Sequence, residues 1–161
     1  MPYFYYFLGW IILIFGQIVI APRISVTGIY PDMVLATVIL IGLKRGSQKG
    51  LWFGFIFGIS LDLLDPQNLG WLTLLGSISG MVAGMVREKI YVESGLYQSG
   101  IIAAITFLYR IAIFIIDSPG YFYNNFADSL ITSLFIALYS ALFAGIALMI
   151  LKQRFRLREL L

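Results

Sequence analysis

Residues 50–64 read GLWFGFIFGISLDLL, with glycine at every fourth position and no charge before Asp62. Six apolar stretches of this kind fill the chain, at residues 4–21, 29–43, 50–64, 70–86, 99–116 and 128–151. Hydrophobic residues make up 60% of the 161 residues and charged residues only 12%. Because about 20 apolar residues cross a bilayer as a helix, the sequence predicts an all-α, polytopic membrane protein. We expect a single six-helix transmembrane bundle formed by residues 1–161 as one domain.

The second and third stretches are short for about 30 Å of hydrocarbon. Either flanking residues or a locally thinned membrane completes these spans, or the second stretch crosses only halfway. Lysine and arginine set the orientation, because they concentrate in cytoplasmic loops. Nine of the eleven lie on one side, at Lys44, Arg45, Lys49, Arg87, Lys89, Lys152, Arg154, Arg156 and Arg158. Both termini are therefore expected to be cytoplasmic, and the net charge of +3 reflects this asymmetry and does not indicate nucleic-acid binding.

Glycines form a stripe on each of two neighbouring predicted helices. The stripes are Gly50, Gly54 and Gly58 on the third, and Gly76, Gly80 and Gly84 on the fourth. Residues four apart lie on nearly the same helix face, and small residues let helices approach closely in lipid. Two interpretations stay open: the stripes pack helices within the protein, or one stripe docks a helix of a partner.

Ionisable residues inside the predicted spans are costly unless they are paired or hydrated. Asp62 ends the third-span stripe, and Arg110, within the fifth span, is predicted at a similar depth. We therefore expect one buried polar cluster that joins Asp62 to Arg110, with Asp32 or Gln17 adjacent. Asp32 follows Pro31 at the start of the second span, and that arrangement is also typical of an ordinary helix cap.

Chemical groups for catalysis are scarce. The chain has no histidine and no cysteine, which removes the commonest general base and the commonest metal ligands. We predict no catalytic residues, no metal and no cofactor. Aromatic residues concentrate instead in one outer loop, at Tyr121, Phe122, Tyr123 and Phe126. They fit an interfacial aromatic belt or an anchor for a protein partner.

The stretch from Gln17 to Gly76 resembles the bacterial rod shape-determining protein MreD family. The resemblance rests on Gln17, on Tyr30-Pro31-Asp32, on Gly54, Gly58 and Asp62 at four-residue spacing, and on Asn68-Leu69-Gly70. Tyr30 stands where the family often has a basic residue. Beyond Gly84 the resemblance extends only to topology and size.

The resemblance implies a non-enzymatic protein of the bacterial cytoplasmic membrane that supports rod shape and peptidoglycan synthesis. Its implied partners are an MreC-like protein with one membrane helix, the RodA polymerase with its class B penicillin-binding protein, and membrane lipids. The alternative is a substrate-binding subunit of an energy-coupling-factor vitamin transporter, a family with a similar six-helix fold. Residues 4–21 argue against it, since Gly9 and Gly16 are their only glycines.

Overall fold

The computed structural model of the protein describes residues 2–26, 28–64, 70–89, 95–117, 120, 123 and 125–158. These residues form an all-helical fold of six helices, as the sequence predicts. The helices are α1 (Pro2–Phe15), α2 (Met33–Arg45), α3 (Ser47–Asp62), α4 (Trp71–Lys89), α5 (Gly95–Asp117) and α6 (Phe126–Arg158). After α1 the chain continues through a π-helical turn, Gly16–Ile20, and a 3₁₀ turn, Ala21–Ile24.

The start of α2 departs from the predicted boundary, because the helix begins at residue 33 and not at residue 29. Val26 and Ile29 instead exchange backbone hydrogen bonds of 2.9 and 3.0 Å across a tight turn. Gly28 has a φ of 83° in that turn, a conformation that glycine adopts without steric cost. Pro31 biases the preceding residue away from helical geometry, so the helix cannot begin before it.

α2 is the central helix, and it contacts each of the other five. Eight of its thirteen residues are buried, because it has neighbours on nearly every side. At its end Gly46 adopts a φ of 93° and leads directly into α3. With its ψ of 173° this is a conformation that glycine adopts without steric cost, and the turn at Gly46 makes α2 and α3 an antiparallel pair.

The remaining helices pack as two pairs, α3 with α4 and α5 with α6, and α2 lies against both pairs. The main hydrophobic core joins α2, α4, α5 and α6 through Ile39, Ala83, Ile102 and Ala144. A smaller core forms where Val34 and Val38 of α2 meet Phe57 of α3. α1 has few contacts with the bundle.

Large apolar side chains also cover the outer surface. Ile12 of α1, Trp52 of α3, Leu108 of α5 and Leu142 of α6 are each more than 60% exposed. Two helical segments, Gly95–Asp117 and Phe126–Ile146, are long and apolar enough to cross a membrane.

Candidate functional site

The polar centre of the fold is the N-terminus of α2, where three elements converge. The Asp32 carboxylate accepts the Leu35 N–H at 3.0 Å, and the Asp32 N–H donates to the Ser140 hydroxyl of α6 at 2.8 Å. Gln17, from the π-helical turn, accepts the Met33 N–H through Oε1 at 2.8 Å. The first turn of a helix leaves its amides without intrahelical partners. Side chains from distant parts of the chain therefore bind these amides and fix the position of α2.

Arg110 lies beside this centre. Its guanidinium carbon is 6.0 Å from the centroid of the Tyr30 ring, two residues before Asp32. This distance is within the range of a cation–π contact. Its Nε is buried and has no hydrogen-bond partner in the described part of the chain. Gln17, Asp32 and Arg110 thus lie around the start of α2, with Gln17 and Asp32 bonded to its backbone.

Asp62 has a different role from the one expected. Its buried carboxylate accepts the Leu72 N–H at 3.2 Å and the Thr73 N–H at 2.9 Å. It also accepts the Thr73 hydroxyl. A carboxylate at a helix N-terminus binds unpaired amides and complements the helix dipole. Asp62 therefore caps α4 from the end of α3, and the cluster that would join it to Arg110 stays a prediction.

The two glycine stripes face each other. A Cβ on Gly54 would lie 2.6 Å from the Gly76 carbonyl carbon, and one on Gly80 would lie 2.6 Å from that of Gly50. Gly58 and Gly84 likewise face backbone atoms of the opposite helix or its start, at Thr73 and Ser47. Both stripes are packed within the α3–α4 interface. The hypothesis that one stripe is open to a partner's helix is therefore wrong.

A small cavity of about 10 Å³ lies between these two polar regions. Asp32 and Tyr109 line one side, and Gly58 and Leu72 line the other. A space of this size holds a single water molecule at most. The Asp32 carboxylate at this cavity accepts the Leu35 amide, so it stabilises the start of α2.

Half of the predicted aromatic anchor falls on described residues. Tyr123 and Phe126 are 76% and 52% exposed, whereas Tyr121 and Phe122 lie outside the described residues.

The buried hydroxyl groups of α6 were not among the predicted site residues. Ser129, Ser133 and Ser140 are fully or almost fully buried. Their spacing of four and seven residues places them on one helix face, and that periodicity was the available signal. Thr106 of α5 is also buried. In the described part of the chain, the hydroxyls of Thr106, Ser129 and Ser133 have no hydrogen-bond partner.

Comparison with known proteins gives no family assignment: no protein-family model matches the chain, and neither a curated protein nor a solved structure matches it significantly.

Proposed function

We propose that this protein is a non-enzymatic membrane scaffold of the bacterial cell-elongation machinery, similar in role to the MreD family. In this proposal all six helices cross the cytoplasmic membrane as one bundle with both termini in the cytoplasm. The protein binds an MreC-like partner and, through the same complex, supports the RodA polymerase and its class B penicillin-binding protein.

The main support for the proposal is that the residues of the MreD-like pattern hold the helices of the bundle together. Gln17 and Asp32 hold the start of the central helix α2. Gly54 and Gly58 give α3 its close contact with α4, and Asp62 at the end of that stripe caps α4. These residues therefore form the framework of the bundle. A protein with these residues at these spacings is therefore expected to have the same arrangement of α2, α3 and α4.

The exposed apolar faces support a membrane environment for the whole bundle. Large apolar side chains are exposed on α1, α3, α4, α5 and α6, and large exposed apolar patches are rare on soluble monomers. α2, with thirteen residues, is only about 20 Å long, so the non-helical residues before it lie within the membrane in this proposal. Non-helical backbone is tolerated there when protein shields it. Ser140 and Tyr139 of α6 provide partners for two backbone groups of this stretch, through hydrogen bonds to the Asp32 N–H and the Ile24 carbonyl.

A scaffold role is consistent with the hydrogen bonds that the buried polar groups make to the backbone. The buried carboxylates of Asp32 and Asp62 both accept backbone amides. A general base must reach a proton on a bound substrate, and the cavity beside Asp32 is too small for an organic molecule. The exposed aromatic residues, Tyr123 and Phe126, provide contact surface at the outer end of the bundle.

The proposed topology predicts cytoplasmic reporter signals at the C-terminus and an extracytoplasmic signal between α5 and α6. Fusions after Leu161 and within residues 124–125 test this in intact bacteria. The reason is the nine-to-one division of loop lysines and arginines, which orients short-loop membrane proteins. An extracytoplasmic signal at Leu161 contradicts the topology.

The proposed function predicts that the tagged chain, extracted from native membranes in mild detergent, captures an MreC-like protein with a single membrane helix. A Tyr123→Ser/Phe126→Ser variant should reduce this capture at least tenfold, because exposed aromatic residues are strong interface anchors. Leu134→Ser/Phe135→Ser is the matched control, since these two α6 side chains are 49% and 53% exposed.

Mass spectrometry of the captured proteins separates the two functions. Recovery of transporter ATPases in place of an MreC-like protein supports the vitamin-transporter alternative and contradicts the scaffold proposal. Equal loss of capture in the aromatic variant and its control means that the outer aromatics are not the contact, although an MreC-like protein in the wild-type sample still supports the scaffold.

A further inference from the structure

A groove lies between α5 and α6 where α5 begins. Its volume is about 540 Å³, within the roughly 300–1,000 Å³ typical of ligand sites. Small residues lie along it on both helices, at Gly95 and Ser99 of α5 and at Ala141 and Gly145 of α6. A Cβ on Gly95 would meet no atom within 4 Å, so the space beside it is open.

The rest of the groove is apolar and is open on the side that faces away from the bundle. Leu96, Leu142, Ile146 and Met149 line it and are 88%, 66%, 58% and 73% exposed. Its one side-chain hydroxyl, on Ser99, donates to the Gly95 carbonyl of its own helix at 3.0 Å. The groove therefore presents hydrocarbon to a ligand. Within the described residues, α5 and the Phe126–Ile146 part of α6 are long and apolar enough to cross a membrane, and in a membrane the groove would face lipid.

Basic residues lie on α6 beyond the end of the groove. Ser99 lies opposite Gly145, and α6 continues thirteen residues beyond Gly145, to Arg158. α5 extends only four residues from Ser99 in that direction, to Gly95. At a rise of 1.5 Å per residue, α6 thus projects about 14 Å past the start of α5. The projecting part carries Lys152, Arg154, Arg156 and Arg158, without a carboxylate among residues 150–158.

We propose that this groove binds an anionic phospholipid. One acyl chain lies between α5 and α6, and the headgroup phosphate is bound by the cations that begin at Lys152, one helical turn beyond Met149. Hydrocarbon in the groove and cations at its end are complementary to such a lipid, because basic residues at a membrane surface attract anionic headgroups. The proposal requires only that α5 and α6 cross a membrane, so it stands apart from the proposed scaffold function.

Native mass spectrometry of the detergent-purified chain tests the proposal by titration with phosphatidylglycerol and with phosphatidylcholine of the same acyl chains. We expect phosphatidylglycerol to bind at least tenfold more tightly. Gly145→Leu and Gly95→Leu each place a bulky side chain in the groove and should weaken phosphatidylglycerol binding at least fivefold. Lys152→Gln/Arg154→Gln should reduce its affinity to that of phosphatidylcholine.

Lys44→Gln/Arg45→Gln is the matched control, because it removes the same charge at the exposed end of α2. It should leave phosphatidylglycerol affinity within twofold. Equal weakening by both charge variants would show general attraction to a basic surface and overturn the site. Unchanged binding in Gly95→Leu, whose folding is checked by its melting temperature without lipid, overturns it as well. Full competition by soluble glycerol phosphate would identify a free phosphate site and also contradict the lipid.

Discussion

Replacing Gly54 by alanine is expected to lower the stability of the purified protein severely, whereas the same change at Gly76, directly opposite, is expected to be mild. A Cβ on Gly54 would lie 2.6 Å from the Gly76 carbonyl carbon and 2.9 Å from the Ser77 Cα. A Cβ on Gly76 would lie 3.2 Å from the Gly54 carbonyl oxygen and 3.8 Å from its carbon.

The difference follows from what must move. Around Gly54 the obstructing atoms belong to the α4 backbone, so the two helices must separate along their whole contact. Overpacking of this kind costs about 3 kcal/mol, a large part of the total stability of a typical domain. Around Gly76 a shift of a few tenths of an ångström is sufficient. We therefore expect Gly54→Ala to give little folded protein, and Gly76→Ala to stay close to the wild type.

The measurement is the melting temperature and monodisperse yield in one detergent. Gly100→Ala is the control, because Gly100 is exposed on α5 and a Cβ there meets nothing within 4 Å. Alanine at an exposed helix position favours the helix by about 1 kcal/mol over glycine, so this variant should be unchanged or slightly more stable. Similar losses at Gly54 and Gly76 would contradict the difference in space between the two positions, and no loss at Gly54 would contradict the close α3–α4 contact.

The sequence was sufficient to predict the six helices, because each apolar stretch is bounded by charged or turn residues. The glycine stripes could also be predicted, because a four-residue spacing places residues on one helix face. What spacing could not determine was the surface that each stripe meets. Gly50 and Gly80 contact each other through backbone atoms, and only the arrangement of α3 against α4 decides that.

The polar residues show a second limit of sequence reasoning. Gln17, Asp32 and Ser140 are far apart in the chain, yet they bind two consecutive amides and one further amide of a single helix turn. Depth along a predicted span favoured a pair of opposite charges, Asp62 with Arg110. Backbone amides at a helix start are equally good partners for a carboxylate, but their position depends on where the next helix begins in space.

Asp62→Ala is expected to destabilise the protein by about 3 kcal/mol, because it leaves the amides of Leu72 and Thr73 and the Thr73 hydroxyl without their acceptor. Asp62→Asn keeps one carbonyl oxygen and should lose about half as much. Arg110→Gln should have a smaller effect, since the structure gives Arg110 a weak contact with the Tyr30 ring. Thermal and denaturant unfolding of these variants in the same detergent measure the losses.

The double variant Asp62→Ala/Arg110→Gln distinguishes the cap from a charge pair. If the carboxylate and the guanidinium were paired, removal of Asp62 alone would leave a buried cation uncompensated, and the second change would recover part of the loss. Here the two side chains bind different partners, the α4 amides and the Tyr30 ring. Residues without a shared partner contribute additively to within about 0.5 kcal/mol. The double variant should therefore be less stable than Asp62→Ala. If its free energy of unfolding were instead higher by about 1 kcal/mol or more, the result would support a charge pair and contradict the cap.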